Sequence, residues 1–178
     1  MRVLGISGST RKGNTEAMVE KALEGAKEAG ALTEHVKLRE LKIDPCCGED
    51  ECWHTEMCSS DKDELTEVFK KIREADALIL GSPNYFNNVS WLFKIFIDRT
   101  NPYSKFKRLG GKKVALIVAG GYSDEANKKA EDYLREFSRI HGWQVSGSVR
   151  GHVEKPQDAE KDEKLMKKCL ELGKKLME

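Results

Sequence analysis

Short aliphatic and β-branched runs alternate along the chain with longer segments whose apolar positions recur every three to four residues, the pattern of alternating strands and helices. Residues 2–7 read as a strand and 14–30 as a helix, capped by Asn14 or Thr15 and stopped by Gly30. A second strand follows at 33–38, then a loop over 42–60, then a helix over 61–75 with Leu65, Val68, Phe69 and Ile72 on one face. The third strand covers 77–82. The helix predicted over 89–100 is apolar on most of its surface, through Trp91, Leu92, Phe93, Ile95, Phe96 and Ile97, which predicts a second packing partner beside its own sheet. Residues 114–119 carry no polar side chain, as a strand covered on both faces requires, so this fourth strand is central. An amphipathic helix over 124–141 ends before Gly142, a left-handed cap position. The fifth strand is 143–149, and a last helix over 157–177 turns Leu165, Cys169, Leu172 and Leu176 to one side. Five such units in order predict an α/β fold with a parallel sheet and right-handed crossovers. No repeat, linker or boundary interrupts them, so one domain over 1–178 is expected.

The 178 residues include 31 basic and 30 acidic side chains, a formal charge of +1. That balance excludes a nucleic-acid binder driven by bulk positive charge. With 39% hydrophobic and 34% charged residues the chain is globular, and a domain near this size buries about 68–70% of its unfolded surface. Neither a metal nor a disulfide is needed for folding alone. The first apolar run ends at Gly8, too short for the apolar core of a signal peptide, and no run approaches the ~18 residues of a membrane span. A cytoplasmic protein with no membrane partner is expected. Residues 105–113 hold five basic side chains, read as a solvated turn, and His35, His141 and His152 read as surface or helix-end residues.

Candidate chemistry begins at GSTRKGNT, residues 8–15, between the first strand and first helix. A glycine-rich turn there aims backbone N–H groups and the positive helix end at one point, a place for a phosphate. Gly8 and Gly13 have the spacing of a nucleoside triphosphate loop, but Asn14 stands where that loop needs lysine. The dinucleotide fingerprint and a nucleophilic cysteine are also missing from this segment. What remains is a set of donors, Ser7, Ser9, Thr10, Asn14 and Thr15, with the charges of Arg11 and Lys12, suited to a terminal phosphomonoester.

Two more unusual loops follow strands, GSPNYFNNVSW at 81–91 and AGGYSDE at 119–125. In a doubly wound sheet of order 2-1-3-4-5 the carboxyl ends of strands one, three and four are adjacent at the ligand-binding switch point. Pro83 stiffens its loop, Asn84 and Asn87 offer amides, and Tyr85 and Phe86 offer flat faces for a planar heterocycle or, alternatively, for the core. Gly120 and Gly121 leave room for a close approach of backbone.

Residues 8–15, the segment SPNYFNNVSWLFKIFIDRT and the Gly120–Gly121 pair together resemble the NADPH-dependent FMN reductase family of flavodoxin-like proteins, especially its iron–sulfur flavoprotein branch. The resemblance spans residue 1 to about 151. It implies a three-layer α/β/α sandwich with FMN as cofactor and NAD(P)H as co-substrate. It places Ser9, Arg11, Asn14 and Thr15 at the phosphate, and Pro83, Asn84, Tyr85, Phe86, Asn87, Gly120 and Gly121 around the isoalloxazine. The near-neutral charge agrees, since small shuttle flavodoxins are strongly acidic.

PCCGEDECWHTEMC, residues 45–58, resembles the branch's compact motif for a [4Fe–4S] cluster. Cys46, Cys52 and Cys58 fall in register, Glu49 occupies the second ligand position, and Cys47 is the thiol left to complete the set. Four thiolates on one short loop suit such a cluster. Two other readings fit the same residues: zinc held by Cys46 or Cys47, Cys52, His54 and Cys58, and a loop of free thiols. Cys169 reads as core filling.

The resulting expectation is an FMN-binding oxidoreductase passing electrons from a reduced nicotinamide or another donor to a flavin, quinone or protein acceptor, in a homodimer or homotetramer. The cofactor does the chemistry, so no catalytic acid or base is assigned. The alternatives are an electron carrier without NAD(P)H oxidation and a cysteine-loop redox or metal sensor.

Overall fold

A computed structural model describes residues 1–49, 51–55, 58, 62–105 and 109–178. Five parallel strands, β1 (Arg2–Ser7), β2 (Leu32–Lys37), β3 (Ala77–Pro83), β4 (Lys113–Gly120) and β5 (Gln144–His152), form one sheet in the expected order β2-β1-β3-β4-β5. The three inner strands are buried along nearly their whole length, which is why their sequences are continuous apolar runs. Edge strand β5 runs on to His152, three residues past the expected end at Val149, through Arg150 and Gly151.

Alternate side chains of each strand feed opposite faces. On one face Leu4, Ile6, Leu78, Leu80, Leu116 and Val118 pack against α3 (Leu65–Glu74), α4 (Trp91–Arg99) and α6 (Asp124–Ile140). On the other, Val3, Ile79, Ala115 and Ile117 meet α1 (Asn14–Glu28) and α8 (Glu163–Lys175). Two short helices in contact with each other are α2 (Cys52–Thr55), inside the cysteine segment, and α5 (Asn101–Lys105). The expected helix start at Asp61 lies outside the described residues, and the described helix begins at Leu65.

The last predicted helix is two: α7 (Asp158–Lys161) and α8, separated at Asp162, whose carboxylate accepts from Leu165 N–H at 3.0 Å. An N-capping aspartate inside a helical pattern restarts the helix. Helices α1 and α8 then cross in backbone contact. A Cβ at Gly173 would lie 1.8 Å from the Ala22 carbonyl oxygen, so only glycine fits there. Cys169 is fully buried in this layer, and burial pushes its thiol up to about 12. No described helix is long and apolar enough to cross a membrane.

Lys112 departs from the expected solvated turn, and His141 takes the helix-end place expected of it but is buried there. Lys112 is buried, donating to the carbonyls of Ala75 and Arg73 at the end of α3, and burial lowers its pKa. Phe106, Lys107 and Arg108 of the same stretch lie outside the described residues. His141 caps α6 with 1% of its surface exposed, its ring stacked on Trp143 and Nε2 3.0 Å from Thr100 Oγ1. Burial pushes His141 from 6.5 down to about 4. Protonation therefore favours the unfolded chain. This contribution is intact above pH 6.5 and is lost as the pH falls toward 4, reaching roughly 3 kcal/mol at the bottom of that window. Denaturant titrations of the wild type and His141→Phe at pH 7 and pH 4.5 check it: the variant loses less stability on acidification, and equal losses contradict the assignment.

Candidate functional site

The loops leaving β1, β3 and β4 meet at the carboxyl end of the sheet. Gly8 N–H donates to the Gly81 carbonyl (2.8 Å) and Asn84 N–H to the Ala119 carbonyl (2.8 Å), so each loop starts where its neighbour's strand ends. Ser90 ties them further. Its Oγ donates to the Gly8 carbonyl at 2.6 Å and accepts from Phe93 N–H at 3.0 Å, capping α4, while its own N–H donates to Ser82 Oγ at 3.0 Å. Across the rim, Tyr85 Oη lies 3.4 Å from Thr10 Oγ1.

In the first loop, Gly13, not Asn14 or Thr15, occupies the N-cap of α1. Glycine brings no side-chain acceptor, so the helix's first N–H groups face the loop without a capping oxygen, the condition for binding an anion. Ser9 is buried with Oγ donating to the Arg11 carbonyl at 2.6 Å, Thr15 is buried, and Arg11 and Lys12 are exposed. The Asn14 side chain is committed elsewhere: Nδ2 donates to the Lys155 carbonyl (2.8 Å) and Oδ1 accepts from Ala159 N–H (3.1 Å). That corrects its reading as a free amide donor.

In the second loop, Tyr85 and Asn88 exchange two backbone hydrogen bonds around Phe86 (φ 52°) and Asn87 (φ 65°). Positive φ at both central positions makes this a tight turn that bulky residues avoid. The turn holds Phe86 fully in solvent at 102% relative exposure, beside Tyr85 at 42% and, from the third loop, Tyr122 at 89%. Tyr85 and Phe86 are therefore rim residues and not core. A cavity of about 380 Å³ lies between them, lined by Asn84–Asn87, Gly121, Tyr122 and Ala126. Of the expected site residues it gathers those four and Gly121.

The two glycines are explained by protein neighbours. A Cβ at Gly120 would sit 2.5 Å from Asn127 Oδ1, and one at Gly121 2.8 Å from Glu154 Cγ. Asn127, fully buried, is a residue the sequence reading missed, although it lies on the α6 stripe with Ala130, Leu134 and Phe137. Two polar atoms near the rim are buried without a partner, Ser7 Oγ and Asn84 Oδ1. An uncapped helix start, orphaned polar atoms and a flat aromatic-walled cavity together fit a ligand with an anionic tail and a planar ring.

The cysteine segment is organised by another missed residue, Arg99. Its guanidinium, fully buried, donates to Asp63 Oδ2 (2.6 Å) and Oδ1 (3.2 Å), the Asp44 carbonyl (2.8 Å) and Cys58 Sγ (3.0 Å). Burial pushes the Asp63 carboxyl upward, but the bonds from Arg99 and from the Asp44 and Leu65 N–H groups outweigh it and hold its pKa low. Cys46 and Cys47 are exposed, whereas Cys52 is buried with its thiol 3.8 Å from the Glu49 carbonyl. Among the described residues no three His, Cys, Asp or Glu side chains gather to hold a metal. The expected four-thiolate set is not assembled, with Glu49 in the second position and Cys58 claimed by an arginine.

A model of the family described as NADPH-dependent FMN reductase matches residues 1–155. The chain is 33% identical to an iron–sulfur flavoprotein of Methanocaldococcus jannaschii, over 100% of this chain and 96% of that one. It is likewise 33% identical to an iron–sulfur flavoprotein of Methanosarcina thermophila, over 83% and 78%. Among solved structures, the NAD(P)H:quinone oxidoreductase from Methanothermobacter marburgensis superposes with a TM-score of 0.77 at 19% identity, over 98% of this chain and 94% of that one.

Proposed function

Since the chain belongs to the NADPH-dependent FMN reductase family, we propose that its one domain, residues 1–178, binds FMN and carries reducing equivalents from NAD(P)H to a flavin, quinone or protein acceptor. The observation that carries this reading is the joining of three strand-end loops by Gly8–Gly81, Asn84–Ala119 and Ser90–Gly8 hydrogen bonds around one aromatic-walled cavity.

In this reading the first N–H groups of α1, with Ser9, Arg11 and Thr15, hold the phosphate, and Asn14 contributes through its backbone while its side chain braces 155–159. Pro83, Asn84, Asn87, Gly120 and Gly121 frame the ring, and Tyr85 and Phe86 give it flat apolar contact. When bound, the flavin supplies hydride and electron transfer. The chain's part is to position the ring, exclude water from one side and leave the other open to donor and acceptor. No proton transfer is assigned to a side chain, and no step to a metal cluster. The cluster of cysteines between Cys46 and Cys58 suits a reducing cytoplasm, and Trp91, 63% exposed on α4, suits association into a homodimer or homotetramer.

Steady-state oxidation of NADPH and NADH by the FMN-loaded chain, with free FMN and a quinone as acceptors, tests the reading. Turnover with at least one acceptor is expected. FMN binding without oxidation of either nicotinamide would make the chain a carrier and overturn the reductase assignment.

A further inference from the structure

Asn127 has both ends of its side-chain amide fixed. Its Nδ2 donates to the Gly120 carbonyl at 3.0 Å and the Gly151 carbonyl at 3.2 Å, on β4 and β5. Carbonyl oxygens only accept, so these contacts decide which end of the amide is nitrogen. Asn127 Oδ1 is thereby the atom offered to Asn84, whose Nδ2 meets it at 3.1 Å. The choice passes on: an acceptor on one side obliges Asn84 to spend its donor there, and Oδ1 is what it has left. That oxygen is buried and has no partner, and Asn84 lines the cavity between the aromatic rim residues. Its backbone N–H is tied to Ala119, which holds the residue in place. A buried amide oxygen without a donor is costly, so the site is built to receive one.

We infer that Asn84 Oδ1, oriented by Asn127, accepts a hydrogen bond from the N3–H of the bound ring and selects for a heterocycle with a donor at that edge. The inference rests on the flavin reading above. The oxidised isoalloxazine has a single ring N–H, at N3, flanked by two carbonyl groups. An asparagine free to flip would serve a donor or an acceptor equally. This one cannot turn without placing its oxygen face to face with Asn127 Oδ1. Asn84 is then a specificity-determining contact and Asn127 a positioning residue behind it.

The test compares the affinities of FMN and of FMN methylated at N3 for the full chain, by quenching of flavin fluorescence. The wild type is expected to prefer FMN by about tenfold, the loss of one hydrogen bond to a buried acceptor. Asn84→Ala still binds FMN but discriminates by less than about twofold. Asn127→Ala, with Asn84 intact, loses most of the preference too, whereas a merely structural role would weaken both ligands together and leave their ratio unchanged. Should Asn127→Ala fail to fold, Asn84→Ala decides alone. Equal binding of both flavins by the wild type, or full discrimination by Asn84→Ala, overturns the inference, the latter pointing to steric exclusion or to a ribityl hydroxyl as the donor. A wild type that binds neither flavin instead overturns the flavin reading itself.

Discussion

Arg99→Leu is expected to lower the folding free energy by about 3–5 kcal/mol, the cost of breaking a buried charge pair from one side. The magnitude follows from what the variant leaves behind. Asp63, whose side chain is 9% exposed, loses the guanidinium that offsets its burial, and the Asp44 carbonyl and Cys58 Sγ lose a donor. These partners stand at both ends of the cysteine segment, so one side chain pins its base to α4. The low Asp63 pKa also depends on Arg99. A carboxyl held below its free value stabilises the fold above that free value and loses the contribution as the pH falls through the lowered one. The variant should therefore be weakened most near neutrality and least in acid. Urea denaturation at pH 7 and pH 3.5 measures this, and Arg99→Leu combined with Asp63→Asn should recover part of the loss, because neither charge is then stranded. A loss under about 1 kcal/mol at pH 7 would show the cluster to be solvated.

The second large effect is at Ser90. Ser90→Ala removes an N-cap, worth about 1 kcal/mol, and strands the buried Gly8 carbonyl, worth about 1–3 kcal/mol more. Together they predict a destabilisation of about 2–4 kcal/mol. The same oxygen joins the start of the 8–15 loop, the proposed phosphate site, to the start of α4, so FMN affinity should fall as well, although Ser90 touches neither ring nor phosphate in the proposed pose. Ser90→Thr keeps the hydroxyl and should retain most of both properties. Unchanged FMN affinity in a folded Ser90→Ala would mean that the Gly8 carbonyl does not set the loop.

The sheet was legible because its inner strands are buried on both faces and so read as unbroken apolar runs. Strand β5 was legible as far as Val149 but not through Arg150, Gly151 and His152, since an edge strand with one open side tolerates polar residues and glycine. The three site loops were visible as glycine-, serine- and asparagine-rich turns at strand ends. What their side chains do was not, because the partners are remote in sequence: Asn14 and Lys155 lie 141 positions apart, and Ser90 and Gly8 82. Spacing alone could not show that protein atoms fill the space beside Gly120 and Gly121. Yet three missed residues carried a signal. Ser90 precedes the apolar run of α4 as a capping serine does, Arg99 interrupts the buried stripe of Leu92 and Phe96, and Asn127 does the same on α6. A polar residue on a buried helical stripe has to be satisfied by something, and here each satisfies a loop. For the cysteines, identity and spacing gave candidate ligands but not the arginine that engages Cys58.

The most direct measurement is a titration of the purified chain with FMN and, separately, with riboflavin, which lacks the phosphate. Saturable binding of about one FMN per chain is expected, with riboflavin weaker by about tenfold or more once the contacts at the α1 start and Arg11 are lost. A chain that stays colourless with excess FMN, or that binds riboflavin as tightly as FMN, would contradict a phosphate cradle joined to a ring cavity at this end of the sheet.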